Sequence, residues 1–512
     1  MPQAAPSTVR TAPAGPSSPT HGHSRPGIVL ATVCVCQLMV TLDASIVNIA
    51  LPAMGQALGF ADSALPWVVN AYALAFGGLL LLGGRIADLA GHRRALLSGL
   101  VLFGIASVLG GLAQTPAQLI AARAGQGVAG AVLAPISLTL IMVTFAEGPA
   151  RARALGIWSM VTAGGSALGV LLGGVLTDLL DWRWVFFVNA PIVLVAALLA
   201  LRSIPAVRPQ RTGRLDVVGA AFGTTAMTVL VYGLMETDRH PWGSARTLGT
   251  LGAALLLGLA FVAWEARFAA APIVRLGVLK VRTAWVASVI VTLIGASMLV
   301  GFYFCSLHLQ NVLHYGPLAA GAAFLPFCAG TMAGSMVAGR LTARFGGRAA
   351  LTGGLLLAGL GMLWFGGLDE SSGYLTAFVG PSLVASVGIG ICMVTNTSMG
   401  TSGVAPHEAG LVSGLLNAGR QCGGSIGLAV LSTLAVTATR HASESGDTPA
   451  AALAAGYDRA FVVTAALLGA AAVIAVLFVP RAKPGPKAVP QGEAAAAGEV
   501  ALDEARDAAA RR

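Results

Sequence analysis

Charge is what this sequence has least of. Of 512 residues only 10% are Asp, Glu, Lys or Arg, while 56% are hydrophobic and the mean hydropathy is +0.80. Soluble domains average about 25% charged residues. No soluble fold hides so much apolar surface, so the chain reads as a polytopic, all-α membrane protein. Lysine is nearly missing: Lys280, Lys483 and Lys487 stand against 28 arginines. With abundant Ala and Gly, that bias resembles the product of a GC-rich, actinobacterium-like bacterial genome. The six cysteines (Cys34, Cys36, Cys305, Cys328, Cys392 and Cys422) all lie in apolar runs. They read as small buried hydrophobes, with no metal site and no disulfide. The phosphate-binding pattern GxxxxGK[ST] is absent, as is HExxH, and no polar stretch is long enough for an enzyme domain. The chain is therefore read as a non-enzyme without a cofactor. The formal charge of +10 does not point to nucleic acid, because the basic residues sit in short loops between apolar runs.

A helix needs about 20 apolar residues to cross the hydrocarbon layer. Fourteen runs qualify: 28–51, 67–84, 95–113, 117–145, 154–177, 184–201, 215–235, 247–267, 284–310, 318–342, 349–367, 374–399, 409–438 and 460–479. With the N-terminus in the cytoplasm, 24 basic residues fall on the cytoplasmic side and five on the other: Arg183, Arg239, Arg246, Arg440 and Arg459. That asymmetry predicts both termini in the cytoplasm of a multi-pass cell-membrane protein. Residues 1–27, rich in Pro, Ser, Thr and Ala, read as a disordered cytoplasmic tail, and 481–512 as a second tail.

Of the 21 acids, Asp43 alone falls well inside a predicted run, in the stretch TLDASIVNIALP at 41–52. Burying a carboxylate costs several kcal/mol or forces its protonation. Intramembrane polar groups commonly face a bundle interior or wet cavity and mark ion or substrate paths. A hydrogen-bonded packing residue is the structural alternative; a proton-carrying carboxylate is the functional one. Arg123 and Arg420 are also intramembrane. Each needs an acceptor, and Asp43 is the simplest partner for one of them; the sequence does not distinguish the two.

Residues 84–94, GRIADLAGHRR, and 339–348, GRLTARFGGR, align. Gly84, Arg85, Gly91 and Arg93 match Gly339, Arg340, Gly346 and Arg348, while Asp88 meets Ala343. Each copy follows the second span of a six-span group once spans seven and eight are set aside. The layout is then 6 + 2 + 6: residues 28–201, two linker helices in 202–283, and 284–480. Internal repeats around a midplane site are typical of secondary transporters.

These motifs carry a specific resemblance. The chain resembles the major facilitator superfamily in its fourteen-span drug:proton antiporter branch, the EmrB/QacA type. GRIADLAGHRR is similar to the superfamily's loop between spans two and three. LIAARAGQGVAGA (119–131) is similar to the span-four motif, with Arg123, Gln126 and Gly127; LDASIVNIALP (42–52) to the branch's span-one motif, with Asp43, Asn48 and Pro52; and DWRWVFFVNAPI (181–192) to the segment entering span six. The chain departs from the family at Val170, where the span-five antiporter motif usually carries proline.

The resemblance implies export of small amphipathic or hydrophobic compounds, such as antibiotics, driven by the proton gradient through alternating access. Asp43 and Arg123 would then couple protons. Asp88, with Arg85, Arg93, Gly84 and Gly91, would form a conformational latch. Asn48, Asn70, Tyr72, Gln126, Tyr303, Asn396, Asn417 and Arg420 are the candidates for the substrate cavity. Gly165, Gly169, Gly173 and Gly174 stand at small-xxx-small spacing for helix packing. The partners expected are a drug-like small molecule, protons and the lipid bilayer. A proton-linked carrier for another solute, by uptake or by amino-acid export, is the runner-up; a non-transporting membrane sensor ranks below it.

Overall fold

The computed structural model describes residues 26–61, 63–145, 148–205, 216–238, 240–269, 276–367, 378–402, 404 and 409–480. Among them, fourteen helices are long and apolar enough to cross a membrane. They are α1 (Pro26–Leu58), α2 (Trp67–Ala90), α3 (His92–Gly111), α4 (Pro116–Thr144), α5 (Pro149–Leu179), α6 (Trp184–Ser203) and α7 (Val217–Met235). There follow α8 (Ala245–Arg267), α9 (Arg282–Val312), α10 (Pro317–Phe345), α11 (Gly347–Phe365), α12 (Gly380–Thr401), α13 (Ala409–Glu444) and α14 (Pro449–Phe478). Large apolar side chains point outward, Leu255, Leu256 and Leu259 of α8 among them. This is the distribution a bilayer allows and water does not.

Several helix starts follow from local chemistry. Thr115 caps α4 by accepting from the Gln118 amide at 3.3 Å, with Pro116 in the first turn. Thr448 caps α14 in the same way, with Pro449 following. Proline costs little there, because first-turn amides have no helical partner. The α14 cap starts the helix well before the apolar run at 460, so Asp458 and Arg459 lie on the helix rather than in a loop. Asp43 is thus not the only acid within a long apolar helix.

Packing repeats along the chain. Helix α1 packs on α4, α5 and α6, α2 on α4, and α3 on α4 and α6. Correspondingly, α9 packs on α12, α13 and α14, α10 on α12, and α11 on α12 and α14. Between the two groups, α2 meets α13 and α5 meets α10. Helices α7 and α8 pair with each other, and α7 lies against both α2 and α13. The Trp264 indole and the Gly219 amide both donate to Asp216 Oδ1 at 2.8 Å, which ties the start of α7 to the end of α8.

The two loop motifs adopt one conformation. Gly91 ends α2 and begins α3 at φ 85°, and Gly346 ends α10 and begins α11 at φ 84°. Each glycine amide donates four residues back, Gly91 to Ala87 and Gly346 to Thr342. Each glycine carbonyl accepts from four residues on, at Ala95 and Ala350. A positive φ favours glycine strongly, which explains the second glycine of the motif. The first glycine has no such duty in this conformation: a Cβ on Gly84 would meet Pro135 at an ordinary 3.6 Å, and one on Gly339 would meet nothing. The close approach belongs to Gly83, whose Cα lies against the Ala131 carbonyl. Pro135, four residues on, has no N–H to offer that carbonyl.

Candidate functional site

Asp43 sits in the middle of α1, fully buried. Its partner is Arg123 of α4: Arg123 Nη1 donates to Asp43 Oδ2 at 2.7 Å. Oδ1 accepts from Gln126 Nε2 at 2.7 Å and from Asn189 Nδ2 at 2.8 Å. Gln126 lies one turn beyond Arg123 and accepts from Arg123 Nη1 at 2.7 Å, while donating to Ser107 Oγ of α3 at 2.9 Å. Arg123 Nε donates to the Val68 carbonyl of α2 at 3.0 Å, and its guanidinium stacks over the Tyr72 ring at 4.5 Å. Five helices thus converge on one ion pair. Asp43, Arg123, Gln126, Asn189 and Ser107 are each at most 1% exposed.

The pair is tolerated in an apolar bundle because both carboxylate oxygens are satisfied by donors and the guanidinium is held by oxygen acceptors and a π face. Asn189 is the residue that sequence reasoning missed, although it lies in the quoted segment 181–192. It begins the second part of α6, after a break at Val188. Pro191 lacks the N–H that would bond the Phe187 carbonyl, so the helix is interrupted where Asn189 turns inward.

The other predicted residues separate into groups. Gly165, Gly169 and Gly173 face α1: a Cβ on Gly169 would lie 2.6 Å from the Leu42 carbonyl, and one on Gly173 2.7 Å from that of Ile46. Gly174 faces α10 instead, against Pro317 at 2.6 Å. Val170, in the proline position, is buried in an uninterrupted α5. Asn48 stands one turn beyond Asp43 and its amide donates to Ala44. The Asn48 carbonyl has lost its helical donor to Pro52, and Ser306 of α9 donates to it at 2.7 Å. Gln310 of α9 donates to the Ile49 carbonyl at 3.0 Å. These two bonds join the six-helix groups at the end of the bundle opposite Gly91 and Gly346. The π-helical turn His308–Val312 lies at the same place, with His308 buried against Tyr457 of α14.

Asn70 points away from this centre, donating weakly to Met235 Sδ of α7 at 3.7 Å. Asn396 donates to the Ala287 carbonyl at 3.0 Å and wedges α12 against α9 near Thr283 and Val479. Tyr303 is buried within the aromatic core of α9, α10 and α14. Neither belongs to the Asp43 cluster. Arg420 of α13 is half-buried and donates to Asn417 Oδ1 at 2.7 Å. Arg85 is exposed and Arg93 half-buried at the Gly91 turn, while the Asp88 side chain lies outside the described residues.

Residues 33–428 match the family model described as Major Facilitator Superfamily. The chain is 41% identical over 463 residues to the cephamycin export protein CmcT of Amycolatopsis lactamdurans, covering 90% of this chain and 94% of that one. It is 39% identical to the puromycin resistance protein pur8 of Streptomyces alboniger, covering 88% and 90%. In fold it resembles an inward-facing bacterial homologue of the human lysosomal transporter Spinster, at a TM-score of 0.64 and 19% identity, over 89% of this chain and 97% of that one. This multi-pass membrane protein is a transporter and not an enzyme, and it belongs to the Major Facilitator Superfamily.

Proposed function

We propose that the chain exports small amphipathic or hydrophobic compounds, antibiotics among them, in exchange for protons. The observation that carries this reading is the enclosed Asp43–Arg123 pair, a titratable charge within an apolar helix bundle. The names of the similar proteins, which speak of antibiotic export and resistance, support the direction and the cargo class. In this reading both termini are cytoplasmic, the protein lies in the cell membrane, and 28–201 and 284–480 rock about a midplane cavity, with 202–283 as a linker pair. The Ser306 and Gln310 bonds then close the outer end.

The mechanism follows from the charges. While Asp43 is ionised it holds Arg123, Gln126 and Asn189 in one cluster. Protonation removes the anion that organises them, and the guanidinium must find another acceptor. That rearrangement couples proton entry to movement of α1 against α4. Gly165, Gly169 and Gly173 permit it by letting α1 and α5 slide at close range. Asp88, with Arg85 and Arg93 around the Gly84–Gly91 turn, would steady the cytoplasmic end, and Gln126, Tyr72, Asn417 and Arg420 would contribute to the substrate path.

The test is efflux in vesicles under an imposed pH gradient. Asp43→Asn keeps the shape and hydrogen-bonding capacity but removes the titratable charge. Gradient-driven efflux of a fluorescent drug should vanish while the protein still reaches the membrane. Undiminished efflux by this variant would remove Asp43 from the mechanism.

A further inference from the structure

Two arginines lie within the bundle, and of these, among the described residues, only Arg123 meets a carboxylate. Arg123 meets Asp43 at 2.7 Å. Arg420, in the middle of α13, has Asn417 Oδ1 at 2.7 Å, and no carboxylate pairs with it among the described residues. An amide oxygen supplies a dipole, not a counter-charge. A guanidinium keeps its proton under all ordinary conditions, and Arg420 is only half-buried, so its remaining donors can be reached by a ligand. Arg420 is therefore held ready for an anion.

A second unpartnered group lies on the helix that faces α13. Tyr72 of α2 is 4% exposed, and its hydroxyl is buried without a hydrogen-bond partner. Its ring is covered by Arg123 on one side, and a little more than one turn further along, α2 packs on α13 at the residue next to Arg420. Those two helices are in direct contact there: Gln421 of α13 packs against Gly77 of α2, where a Cβ would come within 2.8 Å of it. A buried hydroxyl left unpaired is costly, and an arriving acceptor would satisfy it together with the free guanidinium nitrogens.

We infer that Arg420, steadied by Asn417 and assisted by the Tyr72 hydroxyl, receives the carboxylate of an amphipathic, singly anionic substrate. This rests on the export reading and narrows its cargo. A guanidinium matches the planar, two-oxygen geometry of a carboxylate. The charge count also favours it: one unpaired cation balances one negative charge, whereas a doubly charged phosphate would leave a net anion buried. Asp43 adds little opposing charge, since Arg123 neutralises it at 2.7 Å.

The test is equilibrium binding to the purified full-length protein in lipid nanodiscs. The probes are benzylpenicillin, its neutral methyl ester and the cation ethidium. Wild-type protein should bind the acid about tenfold more tightly than the ester, the loss expected for one charge-assisted hydrogen bond. Arg420→Gln should abolish that preference by weakening the acid alone, and Arg420→Lys should restore part of it. Tyr72→Phe, which removes one oxygen and little volume, should weaken the acid about threefold and leave the ester unmoved. Equal binding of acid and ester by wild type, or equal weakening of both by Arg420→Gln and by Tyr72→Phe, would overturn the inference. Binding of ethidium or the ester without the acid would overturn it and leave the export reading standing. Failure of all three probes to bind would defeat both.

Discussion

Gly169 of α5 rests on Leu42 of α1, and Gly423 of α13 rests on Thr292 of α9. One turn on, Gly173 rests on Ile46 and Gly427 on Ala296. The register of the two helix pairs is the same, so it places Leu293 in the second group where Asp43 stands in the first, and Ser166 in the first where Arg420 stands in the second. Backbone packing has been kept in both groups while the charges have not. The first group holds a closed, self-neutralised cluster; at the matching depth the second holds Arg420, which pairs with no carboxylate among the described residues. A scaffold in which helix approach is set by glycines leaves the remaining faces free to carry different chemistry.

The sharpest way to break this comparison is to unbalance the closed cluster. Arg123→Gln leaves the Asp43 carboxylate buried and unpaired, and should cost about 3–5 kcal/mol of stability, read as thermal unfolding in detergent. Adding Asp43→Asn should recover most of that loss. Equal stability of the single and double variants would show that the pair is not the source of the cost. A smaller effect tests the shared backbone. Gly169→Val and Gly423→Val each drive a side chain into the facing helix, and each should cost about 2–3 kcal/mol. Markedly unequal losses would mean that the two interfaces are not equivalent. Smaller again, Gly91→Ala and Gly346→Ala place a Cβ at φ 85° and φ 84°. Each should cost about 1–2 kcal/mol, by the same unfolding measurement. The smallest expected effect is at the junction of the two groups. Ser306→Ala removes one bond to the Asn48 carbonyl, worth about 0.5–1.5 kcal/mol. Maleimide labelling of Leu313→Cys in a cysteine-free background should then quicken about threefold as that end opens more often.

Much of the scaffold was legible from composition and spacing alone. Length and hydropathy give the fourteen spans, and the second glycine of each loop motif gives the paired turns. The acid at Asp43 announced itself by its cost. What sequence left open was mostly partnership across helices. Nothing local says that Arg123 rather than Arg420 reaches Asp43, because that depends on the way α4 and α13 rotate about their axes. Asn189 was hidden in plain view: an asparagine at a span entrance reads as an interfacial residue until Pro191 is seen to break the helix there. Asn70 and Asn396 were polar positions in apolar runs, and they join α2 to α7 and α12 to α9. The extent of α14 was underestimated because a threonine cap and an alanine-rich turn extend the helix past the point where hydropathy falls.

Pro52 deprives the Asn48 carbonyl of its partner inside α1, and a hydroxyl from the opposite group supplies the substitute. The defect in one helix is mended by its counterpart. When that end parts, water can take the hydroxyl's place, so the oxygen swaps one donor for another and neither arrangement leaves it bare. The exchange of donors keeps the cost of parting small, and in the proposed export cycle a small cost is what would let a single proton arriving at Asp43 decide which way the molecule faces.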